Sequence, residues 1–135
     1  MKYDIETDRF GTKRYYTNNV LHREGAPAIE SANGTKQWYK NGKLHRDGGP
    51  AQEYADGTKC WYKNGELHRE DGPAIEDVNG SRYWYKNGKR HREDGPAIEW
   101  AHGETAWYLN GECYCENKEF TNKSWKKFIK TILFQ

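Results

Sequence analysis

The sequence lacks any long apolar run. Its longest apolar cluster, residues 128–134, is interrupted by Lys130, and its first ten residues contain no stretch typical of a signal peptide. We therefore expect a cytoplasmic protein without a membrane span. Cysteine is scarce as well, because Cys60, Cys113 and Cys115 are the three present and follow no regular spacing. That pattern argues against a disulfide-stapled secreted domain and predicts reduced thiols.

Aliphatic side chains and net charge are also low. Hydrophobic residues make up 34% of the 135 positions, too few for a spherical core, which predicts an elongated protein. Six Trp and ten Tyr are present, so the available core must be built from large rings. The 22 basic and 20 acidic residues are interspersed and give a formal net charge of +2. This balance lacks the one-sided field of a duplex-DNA binder.

A segment of ten residues recurs four times at a fixed spacing. The copies are LHREGAPAIE, LHRDGGPAQE, LHREDGPAIE and RHREDGPAIE, and they begin at residues 21, 44, 67 and 90, which differ by 23. The strings GTKQWYKNGK, GTKCWYKNGE, GSRYWYKNGK and GETAWYLNGE follow with the same period. Four copies without an insertion indicate a stacked array of structural repeats.

Each 23-residue unit carries two tight-turn signals. Asn-Gly pairs recur at residues 41–42, 64–65, 87–88 and 110–111, and a second Gly-containing turn recurs at 33–34, 56–57, 79–80 and 102–103. Short β-prone runs such as TKQWYK and PAIE precede them, and the proline that opens the second run excludes helix there. We predict a mainly β protein, an elongated single-layer antiparallel β-meander of hairpin repeats.

Alternation along a strand should place the Trp of each WYK run on one face and its Tyr on the other. The same position in successive units, two strands apart, should recur about every 9.6 Å. We also expect Glu30, Glu53 and Glu76 to pair with Lys36, Lys59 and Arg82, and lysine stems to cover the Trp rings. The predicted columns are Tyr15, Trp38, Trp61, Trp84 and Trp107 on one face, and Tyr16, Tyr39, Tyr62, Tyr85 and Tyr108 on the other.

The two ends of the array should be capped. We interpret residues 1–20 as an N-terminal half-repeat cap, 21–112 as four repeats and 113–135 as a C-terminal segment with an amphipathic capping helix. Thr105 and Leu109 replace basic residues of the earlier units where that helix would dock. Its start is predicted at Thr121 or Ser124, and its apolar positions are Trp125, Phe128, Ile129, Ile132 and Leu133.

The string WYKNGKLHRDGGP is similar to the MORN repeat. It resembles still more closely the MORN-variant repeats of bacterial, phage and giant-virus proteins, in which forms like HREDGPA and DGTKxWYxNGK recur. The resemblance covers about residues 10–112 and implies a sheet that serves as a scaffold, a membrane-associated platform or a protein-binding module. By likeness to phage-borne relatives, it implies a small inhibitor or adaptor that binds a host or defence protein.

A column of histidines, each followed by arginine and an acid, is a candidate for chemistry. Zinc ligands must lie about 2.0–2.3 Å from one ion, and imidazoles about 9.6 Å apart cannot share it. Four near-copies on an open sheet also give no single convergent pocket. We predict no catalysis, no metal and no cofactor, with a hydrolase using His68, Arg69 and Glu70 as the alternative. The residues predicted to order the turns are His22, His45, His68, His91, Arg23, Arg46, Arg69 and Arg92.

The predicted function is a non-catalytic protein-binding repeat module, with a homodimer as a further possibility. One alternative is single-stranded nucleic-acid binding through the Trp and Lys columns, and another is a membrane-associated scaffold that uses the basic C-terminal helix. Specificity should lie at two variable columns, Gln37, Cys60, Tyr83 and Ala106, and Ser31, Tyr54, Asp77 and Trp100. Trp100 is expected either to pack under the helix or to be an exposed anchor. The predicted partner surface is Trp38, Trp61, Trp84, Trp107, Tyr54, Tyr83 and Trp100.

Overall fold

The computed structural model describes residues 2–114 and 119–133. Within them lie nineteen short strands and one helix. An 11-stranded antiparallel sheet, the main sheet, runs through all units in the order β1-β2-β4-β5-β8-β9-β12-β13-β16-β17, with β3 paired to β2. Its strands are β1 Asp4–Thr7, β2 Lys13–Thr17, β3 Val20–Leu21, β4 Ile29–Glu30, β5 Lys36–Gln37, β8 Gln52–Glu53, β9 Lys59–Cys60, β12 Ile75–Glu76, β13 Arg82–Tyr83, β16 Ile98–Glu99 and β17 Thr105–Ala106.

Each unit adds a second, separate hairpin to its two strands of the main sheet. The Asn-Gly pairs form the tips of these hairpins, and both residues of the first one have positive φ, 51° at Asn41 and 81° at Gly42. That is the geometry of the tight hairpin turn predicted from the sequence. The hairpins are β6 Tyr39–Lys40 with β7 Lys43–Leu44, β10 Tyr62–Lys63 with β11 Glu66–Leu67, β14 Tyr85–Lys86 with β15 Lys89–Arg90, and β18 Tyr108–Leu109 with β19 Glu112–Cys113.

The antiparallel meander is confirmed, but the WYK run is divided at its tryptophan. The backbone N–H of Trp38 donates to the carbonyl of Ala51 in the next unit at 2.7 Å. Its own carbonyl accepts from the N–H of His45, which directly follows the hairpin β6–β7, at 3.0 Å. At each Trp the backbone therefore changes its pairing partner from the next unit to its own hairpin, and the strand is interrupted there.

Hydroxyl side chains join successive units at the turn that follows each PAIE segment. The hydroxyl of Thr35 accepts the N–H of Ala55, 20 residues later, at 3.1 Å. Since the partner lies in the next unit, each bond fixes the stacking of one repeat on another and satisfies a turn N–H. The equivalent bonds join Thr12 to Ala32, Thr58 to Val78 and Ser81 to Ala101.

The N-terminal end has one strand more than the predicted half-repeat. β1 pairs with β2 through the register Asp4↔Tyr16 to Thr7↔Lys13, and it forms the first strand of the main sheet. All four of its residues are exposed. The sequence analysis missed this strand because DIET has neither the aromatic pair nor the turn signal of a repeat.

The C-terminal helix, α1 Asn122–Leu133, docks on the last unit as predicted. Trp125, fully buried, and Ile129 form a core cluster with Trp107 and Leu109, and the Trp125 indole N–H donates to the carbonyl of Arg92 at 2.9 Å. Thr121 is the N-cap residue, because its hydroxyl accepts the N–H of Ser124 at 3.0 Å. Within the described residues, no helix has the length and apolar character needed to cross a membrane.

We predict that Trp125→Ala lowers the free energy of unfolding by about 3–5 kcal/mol, because it removes a fully buried ring and leaves a cavity between the helix and the last unit. Urea denaturation followed by circular dichroism measures the change. Lys126→Ala, at an exposed position of the same helix, is the matched control and should change stability by less than about 0.5 kcal/mol. Equal losses in the two variants would contradict the docking of α1.

Candidate functional site

The main sheet has two faces of different character. One, here called the Trp face, carries Trp38, Trp61, Trp84 and Trp107 together with the arginines that follow the histidines. The opposite one, the Tyr face, carries Tyr16, Tyr39, Tyr62, Tyr85 and Tyr108. For residues of the main sheet the assignment follows from alternation of side chains along each strand, and the tyrosines of the hairpins are assigned by their neighbours. On the Tyr face, Cys60, Tyr54 and the neighbouring tyrosines Tyr39 and Tyr85 lie close enough to Tyr62 to influence its ionisation.

An arginine covers each of the first three tryptophans of the Trp face. The guanidinium carbon of Arg46 lies 3.8 Å from the ring centroid of Trp38, and the same distance separates Arg69 from Trp61 and Arg92 from Trp84. At the N-terminal end, Arg23 lies 3.7 Å from the ring centroid of Tyr15. The cation over each ring is thus an arginine, which the sequence did not predict, and the expectation that lysine stems cover the rings stays a prediction.

Hydrogen bonds hold each of these arginines in place. In the second unit, Arg46 donates from one nitrogen to the carbonyl of Pro50 and to the carboxylate of Glu53, both at 3.1 Å. The glycine before this proline leaves room for the guanidinium, since a Cβ at Gly49 would lie 3.1 Å from its central carbon. The same two hydrogen bonds join Arg23 to Pro27 and Glu30, Arg69 to Pro73 and Glu76, and Arg92 to Pro96 and Glu99.

A row of alternating charges crosses the Trp face, one residue per strand. Cα pairing in the main sheet places Glu30 opposite Lys36 and Glu53 opposite Lys59, as the sequence predicts. The ion pairs that these glutamates form, however, are with the arginines over the rings. The sequence analysis missed this because Arg46 and Glu53 are seven residues apart and are brought together by the turn between them. The complete row is Lys13, Glu30, Lys36, Glu53, Lys59, Glu76, Arg82 and Glu99, and it ends at Thr105.

Each histidine uses both ring nitrogens to connect its own turn to the tip of the next hairpin. The Nδ1 atom of His68 accepts the backbone N–H of Asn87 at 2.9 Å, and its Nε2–H donates to Glu70 at 2.8 Å. These partners assign the Nε2-protonated tautomer. The equivalent partners are Asn41 and Glu24 for His22, Asn64 and Asp47 for His45, and Asn110 and Glu93 for His91.

The occupied ring nitrogens limit what the histidines can do chemically. A general base or a metal ligand needs a free nitrogen lone pair, and in each of these rings that lone pair accepts a backbone N–H of the next hairpin. Open clefts between successive HRED loops, such as the one of about 430 Å³ beside His45 and His68, are walled by both charge signs. In the described parts of the chain, no group of three or more His, Cys, Asp or Glu side chains is arranged to hold a metal ion.

The predicted partner surface is split between the two faces. Trp38, Trp61 and Trp84 are half-buried beneath their arginines, each with one ring face occupied. Trp107 is 6% exposed and is packed against Phe120 and Trp125, with ring centroids 5.5 Å and 5.3 Å away. The prediction that Trp107 contacts a partner is therefore wrong, because α1 covers it.

The other three predicted residues, Tyr54, Tyr83 and Trp100, lie on the Tyr face. Tyr54 is 41% exposed and donates from its hydroxyl to Gln52 at 3.1 Å, while Tyr83 is paired with Ile75 and Ile98 across the sheet. Trp100 stacks on His102, with centroids 6.1 Å apart and planes at 7°. Trp100 does not belong to the cluster around α1. It lies two residues after Ile98 and therefore on the same side of the sheet, the Tyr face.

The cysteines occupy two different environments. Cys60 is a free thiol that is 7% exposed, and its burial raises the pKa to about 11. Cys113 is disulfide-bonded, so the prediction of reduced thiols is wrong for this residue. The predictions that concern Cys115 lie outside the described residues.

No protein-family model matches the chain, and no curated protein is significantly similar to it. The resemblance to MORN-variant repeats therefore stays a prediction from the motifs.

We predict that His68→Ala lowers the free energy of unfolding by about 1–3 kcal/mol, because it removes the acceptor for the Asn87 N–H. His68→Asn should recover part of the loss, since an amide oxygen can accept the same bond. Urea denaturation measures the stability, and amide hydrogen exchange at Asn87 reports the bond itself. Unchanged exchange at Asn87 in His68→Ala would show that the histidine does not join the units.

We predict that Cys60 reacts slowly with a thiol reagent at pH 8 in the folded protein and rapidly in urea. A pKa of about 11 leaves on the order of 0.1% of the thiol ionised at that pH. Because the folded-state pKa lies above the ordinary value of 9.0, this group's contribution to stability is complete below pH 9 and decreases as pH rises toward 11. Rapid labelling at pH 8 without denaturant would contradict the burial of Cys60.

Proposed function

We propose that this chain is a non-catalytic protein-binding repeat module and that the partner contacts its Tyr face. The observation that carries the proposal is the difference in variation between the two faces. From unit to unit the Trp face repeats the same arrangement of ring, arginine and glutamate, whereas the Tyr face changes its residues at defined positions. Repeat proteins bind through such extended surfaces.

The structural role of the Trp face explains its uniformity. Arg69, for example, joins the Trp61 ring of the preceding unit to Pro73 and Glu76 of its own unit. Each histidine joins the hairpin before it to the tip of the next hairpin. Side chains engaged in this way must be the same in every unit, because every interface between units is built alike. They are consequently poor positions for selecting one partner over another.

The Tyr face carries both variable columns. Cross-strand pairing in the main sheet places Gln37 opposite Ile29, Cys60 opposite Gln52 and Tyr83 opposite Ile75. Alternation places the residues at the start of the turns, including Tyr54 and Trp100, on the same face. Half-buried aromatic rings beside exchangeable neighbours are the composition that protein interfaces favour at their centre.

Two alternative functions have less support. For a single-stranded nucleic acid, the tryptophans should be open platforms beside cations, but Arg46, Arg69 and Arg92 already occupy one face of three rings. The lysines on that face alternate with glutamates strand by strand, which reduces the attraction for phosphates. For a membrane scaffold, α1 should offer its apolar side to lipid, yet Trp125 and Ile129 are buried against the last unit.

Three finer expectations accompany the proposal. A cytoplasmic location and a role as an inhibitor or adaptor of a host or defence protein stay predictions from sequence. A homodimer also stays a prediction, and light scattering on the purified chain measures it.

The proposal is tested by affinity capture from cells of the source with three baits, namely the unmodified chain, Tyr39→Ala/Tyr62→Ala and Lys36→Ala/Lys59→Ala. We expect a specific partner to be retained by the first and third baits and lost from the second, since only the second changes the Tyr face. Circular dichroism confirms that each bait is folded. Retention by all three baits, or loss only from the lysine variant, would place the interface elsewhere and overturn the proposal. Release by nuclease treatment would favour the nucleic-acid alternative.

A further inference from the structure

We propose that the Tyr face binds a proline-rich segment in the polyproline II conformation, lying across the strands with a basic residue at the N-terminal end of the array. This inference rests on the proposed function and names the chemical class of the partner.

The spacing of the tyrosines matches the pitch of a polyproline II helix. Tyr39, Tyr62 and Tyr85 occupy the same position in successive hairpins. The main sheet beside them advances by two strands per unit, which implies a spacing of about 9.6 Å between these tyrosines. Polyproline II has three residues per turn and a rise of about 3.1 Å per residue, which gives a repeat of about 9.3 Å. Over three intervals, the tyrosine column and a polyproline II helix drift apart by about 1 Å in total. One residue in three of such a segment can therefore meet a tyrosine at every unit.

The chemistry of the tyrosines also fits this ligand. A polyproline II backbone makes no internal hydrogen bonds, so its carbonyls accept bonds from a binding protein. Among the described residues, none forms a hydrogen bond with the hydroxyl of Tyr39 or Tyr62, which leaves both available as donors. Leu44 and Leu67 lie opposite these two tyrosines in their hairpins. Each unit thus offers an aromatic ring, an aliphatic side chain and a hydroxyl donor, the elements that aromatic-lined grooves use to bind proline.

Charge at the two ends of the column gives the segment a direction. Asp4 and Glu6 share a face with Tyr16, and together with Ile5 and Asn19 they line a cleft of about 430 Å³. Arg14 lies 3.6 Å from Glu6, whereas among the described residues no cation lies within salt-bridge distance of Asp4. This end of the Tyr face is complementary to an arginine or lysine.

The opposite end carries a cation. Arg90 donates to the Tyr85 hydroxyl at 3.2 Å, and its guanidinium carbon lies 5.4 Å from the ring centroid of Tyr108. An acidic ligand residue is favoured there. Three intervals separate Tyr16 from Tyr85, about 29 Å, which corresponds to about nine residues of polyproline II.

The test titrates the full chain, labelled with ¹⁵N, with a peptide of one arginine, nine prolines and one glutamate. We expect saturable shifts in the amide resonances of residues 39, 62 and 85. A peptide with glycine at every second proline should bind about tenfold more weakly, because its free form is less ordered. No saturable shift at millimolar peptide, or shifts confined to the Trp face, would overturn the inference.

Matched variants locate the contact. Tyr62→Phe, which keeps the ring and the fold, should weaken binding about threefold through the lost hydroxyl, and Tyr62→Ala about tenfold. Asp4→Asn should weaken the arginine peptide several-fold and leave a peptide with glutamine in place of arginine unchanged. Lys59→Ala, on the Trp face, is the control and should have no effect. Equal binding by Tyr62→Ala and the unmodified chain would refute a Tyr-face site. Peptide failure together with a captured protein that depends on Tyr39 and Tyr62 would reject the polyproline ligand and retain the proposed function.

Discussion

The stacked arginine is the interaction on which the rest of the array depends. In each of three units a guanidinium lies 3.8 Å from the ring centroid of a tryptophan while it donates to a proline carbonyl and a glutamate. A chain with 34% hydrophobic residues cannot form a second layer over its rings. The arginine of the following unit supplies that layer, through cation–π attraction and through contact of its planar group with the ring. The sheet can therefore remain one layer thick and still exclude water from one side of its aromatic column.

The two ends of the chain show what happens where this cover changes. At the N-terminal end the ring is Tyr15 instead of tryptophan, and Arg23 still covers it, at 3.7 Å. At the C-terminal end the sequence has Tyr114-Cys115 in place of His-Arg, so Trp107 has no arginine of its own. Phe120 and Trp125 pack against Trp107 instead. The helix that carries Trp125 thus covers the Trp107 ring where an arginine does so in the earlier units. Leu109 stands where those units have lysine, and it is apolar because it packs against the helix.

The sequence predicted those features that depend on local periodicity. Asn-Gly pairs, the alternation of Trp and Tyr, and the apolar stripe of residues 125–133 lead directly to the hairpins, the two faces and the docked helix. Contacts that depend on how a turn folds back were not predictable. The approach of Arg46 to Trp38 and the bond from Asn87 to His68 join residues separated by 8 and 19 positions, and neither is implied by strand alternation. For the same reason the tryptophans were predicted to be the partner surface, because the sequence does not reveal that another side chain covers an aromatic column.

The two faces differ in role, and this difference links the fold to the proposed function. The side-chain contacts that recur between successive repeats use hydroxyls at the turns, histidines beside the hairpins and the arginine over each ring. None of these requires a particular residue at Gln37, Cys60, Tyr83 or Ala106, so those positions can change without loss of the array. The tyrosine column is fixed in spacing by the same contacts, because every unit is stacked in the same way on the one before it. Under the proposed function, a ligand with a matching period would be bound by several equal, weak contacts at once, and its affinity would increase with the number of units it spans. Four near-identical units would then form one binding surface although none of them forms an enclosed site.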